Sequence, residues 1–256
     1  MISFRHAASS HTGIIRNGNE DSGYADAHLL VIADGMGGHA AGELASAAVV
    51  AAVCADVSDR PSTVADFNRW VRNKLEQAHG RIGDLVAEEP ERRGMGTTFT
   101  LLGSLDDSLM VAHIGDSRAY RFRDGVLTQL TKDHTYVQVL VDSGKLDATQ
   151  AMYHPRRNLL LRTIDGIHEL ELDVIESDIR VGDRYLVCSD GLNTVSLLIH
   201  HGHWRERARY LLLLDGTART AGAALGSVIV ISDQVLALYL AMFAGFYFWW
   251  PKMTGK

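Results

Sequence analysis

Leu29-Leu30-Val31-Ile32-Ala33-Asp34-Gly35 is a short apolar run that ends in an aspartate beside a glycine. The same construction occurs twice more, at Leu109-Met110-Val111-Ala112-His113-Ile114-Gly115-Asp116 and at Tyr185-Leu186-Val187-Cys188-Ser189-Asp190-Gly191. Short, nearly continuous apolar runs read as strands buried in a core. An aspartate at the end of such a strand stands on a rigid rim, and the adjacent glycine lets backbone or ligand approach closely. One Asp-Gly pair alone reads as a turn. Three strand ends that converge would bring together carboxylates that repel unless cations lie between them. Oxygen donors without a His/Cys cluster suit Mg²⁺ or Mn²⁺. The first expectation is therefore a divalent-metal site built from carboxylates.

The bulk numbers narrow the rest. The chain has 256 residues, 46% hydrophobic and 22% charged, enough for a sizeable core. A net charge of −6 with no basic cluster excludes nucleic acid as the main partner. Cys54 and Cys188 sit among apolar neighbours and read as reduced core thiols, not as a disulfide framework. Met1-Ile2-Ser3-Phe4-Arg5-His6 lacks the apolar centre of a signal peptide, which sets a cytoplasmic expectation.

Along the chain, strands are expected near 2–9 and 23–33, and an Ala-rich helix from Ala40 to Val57. Ser62 is expected to cap a second helix that runs to about Glu88. In that helix Val64, Phe67, Val71, Leu75, Ala78, Ile82 and Leu85 recur every three or four residues and give one buried face. Strands are expected at about 96–104, 108–115, 118–123, 126–130, 170–176 and 184–189. Polar helical chain, broken at Gly144 and Pro155, lies between Asp133 and Asn158. Strands and helices are segregated, so packed sheets with helices outside fit better than alternating βαβ units.

Seven motifs then follow in order: Arg16…Asn19-Glu20-Asp21, Asp34-Gly35-Met36-Gly37-Gly38, Gly94-Met95-Gly96-Thr97-Thr98, Gly115-Asp116-Ser117-Arg118, Leu130-Thr131-Lys132-Asp133-His134, His154-Pro155-Arg156-Arg157-Asn158 and Cys188-Ser189-Asp190-Gly191-Leu192. Together they resemble the type-2C, metal-dependent Ser/Thr protein phosphatases in their compact bacterial form, over residues 3 to 195. The resemblance implies an α+β fold, a four-layer αββα sandwich of two antiparallel sheets flanked by helices, with a centre of two Mn²⁺ or Mg²⁺ ions at one end and room for a third. By position it implies Asp34 as the carboxylate that bridges the ions and Gly35 as a backbone-carbonyl ligand. Glu20 and Asp190 would be ligands of one ion, Asp21 an acceptor for metal-bound water, and Asp116 the ligand of a third, weaker ion. Arg16 would clamp the substrate phosphate, a task suited to the guanidinium fork. A water shared by two ions is acidified and serves as the hydroxide nucleophile, so no Ser or Cys nucleophile is required. Where some relatives carry a histidine as general acid, Met36 stands in this chain; His39 and His154 have no assigned part. The implied substrate is a phosphoserine or phosphothreonine protein, the target of a Ser/Thr kinase.

The resemblance stops after Asn193. This divides the chain into a phosphatase-like domain, 1–195, and an atypical tail, 196–256. The tail holds His200, His201 and His203, and Ser232-Asp233-Gln234-Val235 is only an echo of the Asp-Asn ligand motif. Val235 to Trp250 is uncharged and flanked by aromatic residues and Lys252, yet shorter than the roughly 20 residues of a spanning helix. A membrane anchor, an unusual core segment and a changed reading frame all remain open for it, the last accounting best for the abrupt break. Two functions follow from the tail: an active phosphatase, or a catalytically impaired relative that binds phosphorylated partners.

Overall fold

The computed structural model describes residues 2–10, 18–37, 41–56, 59–191 and 227–231. One sheet contains β2 (Asp21–Ala25), β3 (Leu29–Met36), β5 (Phe99–Leu105), β6 (Ser108–Ile114) and β9 (Asp173–Asp178) in that spatial order, all antiparallel. The two-residue strand β4 (Gly96–Thr97) pairs with the end of β3. The other sheet runs β1 (Arg5–Ser9), β11 (Ser227–Ile231), β10 (Arg184–Cys188), β7 (Arg118–Arg123) and β8 (Val126–Gln129). It is antiparallel from β10 to β8, while β11 lies parallel to both of its neighbours. The chain is thus an α+β sandwich of two sheets. The expectation of a fourth layer, helices over the second sheet, is neither met nor refuted by the described residues, and nearly all of the tail, 196–256, lies outside them.

Why the deciding run is apolar at every position is now plain. Successive side chains of a strand point to opposite faces. Leu29 and Val31 face the helices, in a core with Val49, Phe67, Leu75, Phe99 and Leu101. Leu30 and Ile32 face the second sheet, in a core with Phe4, Leu102, Val111, Tyr185 and Val187. A strand covered on both sides has no polar face to show.

Helices α1 (Ala41–Cys54) and α2 (Val64–Glu88) form the outer layer on the first sheet. Phe67, Val71, Leu75, Ala78 and Ile82 are the buried face of α2, joined by Trp70. The cap falls one residue later than expected. Thr63, not Ser62, accepts the N–H of Asp66, because Thr63 is the last residue in extended conformation. The stretch expected as one strand over 23–33 is a hairpin. Asp26 Oδ1 accepts the N–H groups of His28 and Leu29 and turns the chain there. The expected strand at 170–176 starts only at Asp173, since Leu170 and Leu172 pack into the helix-side core without joining the ladder. The 133–158 segment forms two short helices, α3 (Tyr136–Asp142) and α4 (Ala148–Met152).

Phe67 joins α2 to the sheet directly, because its ring fills the space above Gly103. Phe67→Ala should lower stability by about 3–5 kcal/mol, read as a shift of the urea midpoint without a change in slope.

Candidate metal centre

Both sheets contribute to one end of the sandwich. Asp34 ends the apolar part of β3 and is paired in register with Asp21 of β2. Its backbone is pinned at both polar atoms: the N–H donates to Thr98 Oγ1 at 2.9 Å, while the carbonyl accepts the Thr98 N–H and the Thr97 hydroxyl, each at 2.9 Å. Asp116 follows β6 in the turn that crosses to the second sheet, and Asp190 follows β10. Glu20 directly precedes β2. Its carbonyl accepts from Gly35 N–H at 3.1 Å and from the Ser46 hydroxyl of α1 at 2.6 Å. Two glycines make this junction fit. A Cβ on Gly35 would collide with the Gly42 backbone, and a Cβ on Gly42 would fall 2.5 Å from Glu20 Oε2.

Glu20, Asp34, Gly35, Asp116 and Asp190 thereby line a single cavity of about 510 Å³, together with Gly18, Met36, Gly37, Thr98, Asn158 and Leu160. Asp21 stands behind this wall, and Ser189 donates to its Oδ2 at 3.0 Å. Arg16, His39, Asp233 and the three tail histidines lie outside the described residues. Met36 puts no titratable group on the wall at the position where a histidine was considered. His154 is off the wall, packed near Tyr136 and accepting the Arg156 N–H at Nδ1.

The electrostatics of the cavity are those of crowded anions. Burial raises the Asp34 carboxyl well above the ordinary carboxylate range, and the charges of Asp21, Asp190 and Asp116 raise it further. Asp116 is pushed up to about 7, again by burial first and then by Asp190 and Asp133. Such a wall calls for positive charge. Among the described residues, no three His, Cys, Asp or Glu side chains close around one point as a cage for an ion. The donors are all oxygen, with no thiolate or imidazole among them. Burial pushes both cysteine thiols up to about 12, so neither supplies a thiolate near neutral pH.

Several residues that shape the centre carried no assigned role in the sequence. Thr97 and Thr98 hold Asp34, and Ser117 bonds Thr98 at 2.8 Å. Arg118 is engaged by a two-pronged bond to Asp133, at 2.8 and 2.6 Å, and so does not reach for a ligand.

A family model described as protein phosphatase 2C matches residues 19–224. The serine/threonine protein phosphatase PstP of Mycobacterium tuberculosis is 47% identical over 189 residues, covering 74% of this chain. The chain spans only 36% of that relative's length. The serine/threonine phosphatase stp of Listeria monocytogenes is 33% identical over 190 residues, covering 72% of this chain and 75% of the relative. Among solved structures, the catalytic domain of PstP in complex with two manganese ions superposes with a TM-score of 0.64, with 42% identity over 80% of this chain and 87% of the other.

The raised carboxyls make the metal-free protein sensitive to pH in a defined sense. The folded state holds a proton on Asp116 that the unfolded chain releases near 3.8, so this contribution is complete below that pH and is lost as pH rises through about 7. In chelator, Asp116→Asn should therefore gain stability over wild type as pH climbs from 4 to 8, by about 2–4 kcal/mol at the top of the range. Thermal melts at matched pH measure it, and a pH-independent difference would contradict the assigned cause.

Proposed function

The chain belongs to the protein phosphatase 2C family, and from that premise we propose that it is a metal-dependent protein serine/threonine phosphatase. The observation that carries this reading is the convergence of Glu20, Asp34, Asp116 and Asp190 on one cavity whose buried carboxyls are destabilised by one another's charge. Mn²⁺ or Mg²⁺ held there would supply Lewis acidity, sharpening water as a nucleophile at neutral pH and neutralising the phosphoryl oxygens.

In this reading Asp34 would be the carboxylate ligand common to the ions, with its backbone fixed by Thr97 and Thr98. Glu20, the Gly35 carbonyl and Asp190 would complete the protein's share of the donors, and Asp116 would serve a third ion. Asp21, behind the wall, would accept a hydrogen bond from metal-bound water. Arg16, four residues before Glu20, grips the phosphate oxygens and holds the phosphoryl group in line for attack. Substrate enters past Asn158 and Leu160, the two residues that the segment after α4 places on the cavity wall.

Phosphoserine and phosphothreonine proteins modified by a Ser/Thr kinase are the substrates this reading assigns. The relatives are named as serine/threonine phosphatases, which supports that class over small phosphomonoesters. Among the described residues no helix is long and apolar enough to cross a membrane. Strand β11 fills the place between β1 and β10, which supports an assembled sheet in spite of the atypical tail, and the relatives named as phosphatases favour an active enzyme over an impaired one.

Purified full-length chain should hydrolyse a phosphothreonine peptide in the presence of Mn²⁺, and lose that activity in chelator. Asp34→Ala should lower kcat by about 10²-fold or more, and Arg16→Ala should chiefly raise KM for the peptide. Hydrolysis that survives both chelator and Asp34→Ala would sink the proposal.

A further inference from the structure

His134 lies away from the cavity wall, yet it grips the residue that precedes Asp116 at both backbone polar atoms. The His134 N–H donates to the Gly115 carbonyl at 2.7 Å, and the Gly115 N–H donates to His134 Nδ1 at 3.1 Å. An imidazole nitrogen accepts only when it carries no proton. Nδ1 is therefore bare, and in the neutral ring the proton sits on Nε2, which donates to Asp173 Oδ2 at 3.0 Å, while Arg162 Nη1, 3.3 Å from the same nitrogen, gives its proton to Asp173. Asp173, the first residue of β9, is held in turn by Arg162 Nη1 at 3.1 Å. The tautomer that Gly115 needs is the one that Asp173 selects.

Gly115 itself has little freedom. Its φ is +106°, and a Cβ there would fall 2.6 Å from Thr98 Cγ2. Thr98 is also the residue that binds the Asp34 N–H. The His113 ring packs against His134 with centroids 4.8 Å apart and closes the other side. The peptide leading into Asp116 is thus fixed by His134 on one side and Thr98 on the other.

We propose that His134 is a positioning residue for Asp116: paired with Asp173, it holds the Gly115 amide and so aims the next carboxylate into the cavity. The part of this concerning metal rests on the reading of the cavity as a divalent-ion centre; the grip on Gly115 does not.

Two near-isosteric replacements separate the ring's two nitrogens. His134→Asn places an oxygen where Nδ1 stands and keeps an acceptor for Gly115, whereas His134→Gln reaches toward Asp173 and leaves Gly115 without one. His134→Leu removes both. In the metal-free full-length chain, amide hydrogen exchange at Gly115 should rise about tenfold in the Gln and Leu variants and be largely restored in the Asn variant. The Mn²⁺ concentration for half-maximal peptide hydrolysis should rise about tenfold in Gln and Leu, with the Asn variant recovering most of the loss. A thermal melt on each variant confirms that folded protein is being compared. Equal exchange in folded Asn and Gln variants would overturn the proposal, as would an Mn²⁺ requirement that follows loss of Asp173 contact and not loss of the Gly115 acceptor. If wild type showed no Mn²⁺-dependent hydrolysis, the functional reading would fail, while the exchange pattern would still decide what His134 does.

Discussion

Repulsion among carboxylates forced to share one cavity is the constraint around which this end of the molecule is organised. Left to themselves, Asp34, Asp116 and Asp190 would swing apart or take up protons, and burial with mutual charge does push Asp34 and Asp116 toward protonation. The fold denies them the first escape. Asp34 is tied at its N–H and its carbonyl to Thr97 and Thr98, and Asp116 follows a glycine held between Thr98 and His134. Pinning backbone atoms constrains where a carboxylate sits without itself using the carboxylate oxygens.

The two-sheet architecture explains how residues far apart in sequence come to share that cavity. Glu20 and Asp34 belong to one sheet, Asp190 to the other, and Asp116 to the turn that connects them. Their relative placement is set by the inter-sheet core of Leu30, Ile32, Leu102, Val111, Tyr185 and Val187. Each of these buried side chains is worth about 1.5–3 kcal/mol of transfer free energy. The hydrophobic core thus does the work of holding the anions near one another, and a cation or proton relieves the cost.

Much of this was legible in the sequence because the deciding strands are covered on both faces. A run such as Leu29–Ala33 has no polar alternation to confuse it, so both the strand and the aspartate at its end stood out. Legibility failed where short-range pattern and long-range contact disagree. Leu170 and Leu172 mimic a strand but serve the helix-side core, and Asp26 hides a hairpin inside an apparent single strand through two side-chain bonds. Among the site residues, the carboxylates were marked by their neighbouring glycines. Thr98, Ser117 and Ser46 were not, because a hydroxyl beside a strand or in an Ala-rich helix looks the same whether it faces solvent or bonds a group many residues away.

The wall of oxygen donors also bears on which ions suit the cavity. Imidazoles lie close by, but His134 and His113 are committed elsewhere. His134 is bound to Gly115 and Asp173, and His113 to Thr100 and the Lys132 carbonyl. Burial lowers the His113 ring to about 4, so it stays neutral and adds no positive charge that would compete with a cation. Among the described residues of the wall, the charged donors are the carboxylates of Glu20, Asp34, Asp116 and Asp190, with no imidazole or thiolate beside them. Such a face favours hard ions over the softer metals that imidazole and thiolate would recruit. The proposed metal preference thus rests on the carboxylates that line the cavity, while His113 and His134 have their ring nitrogens bonded elsewhere.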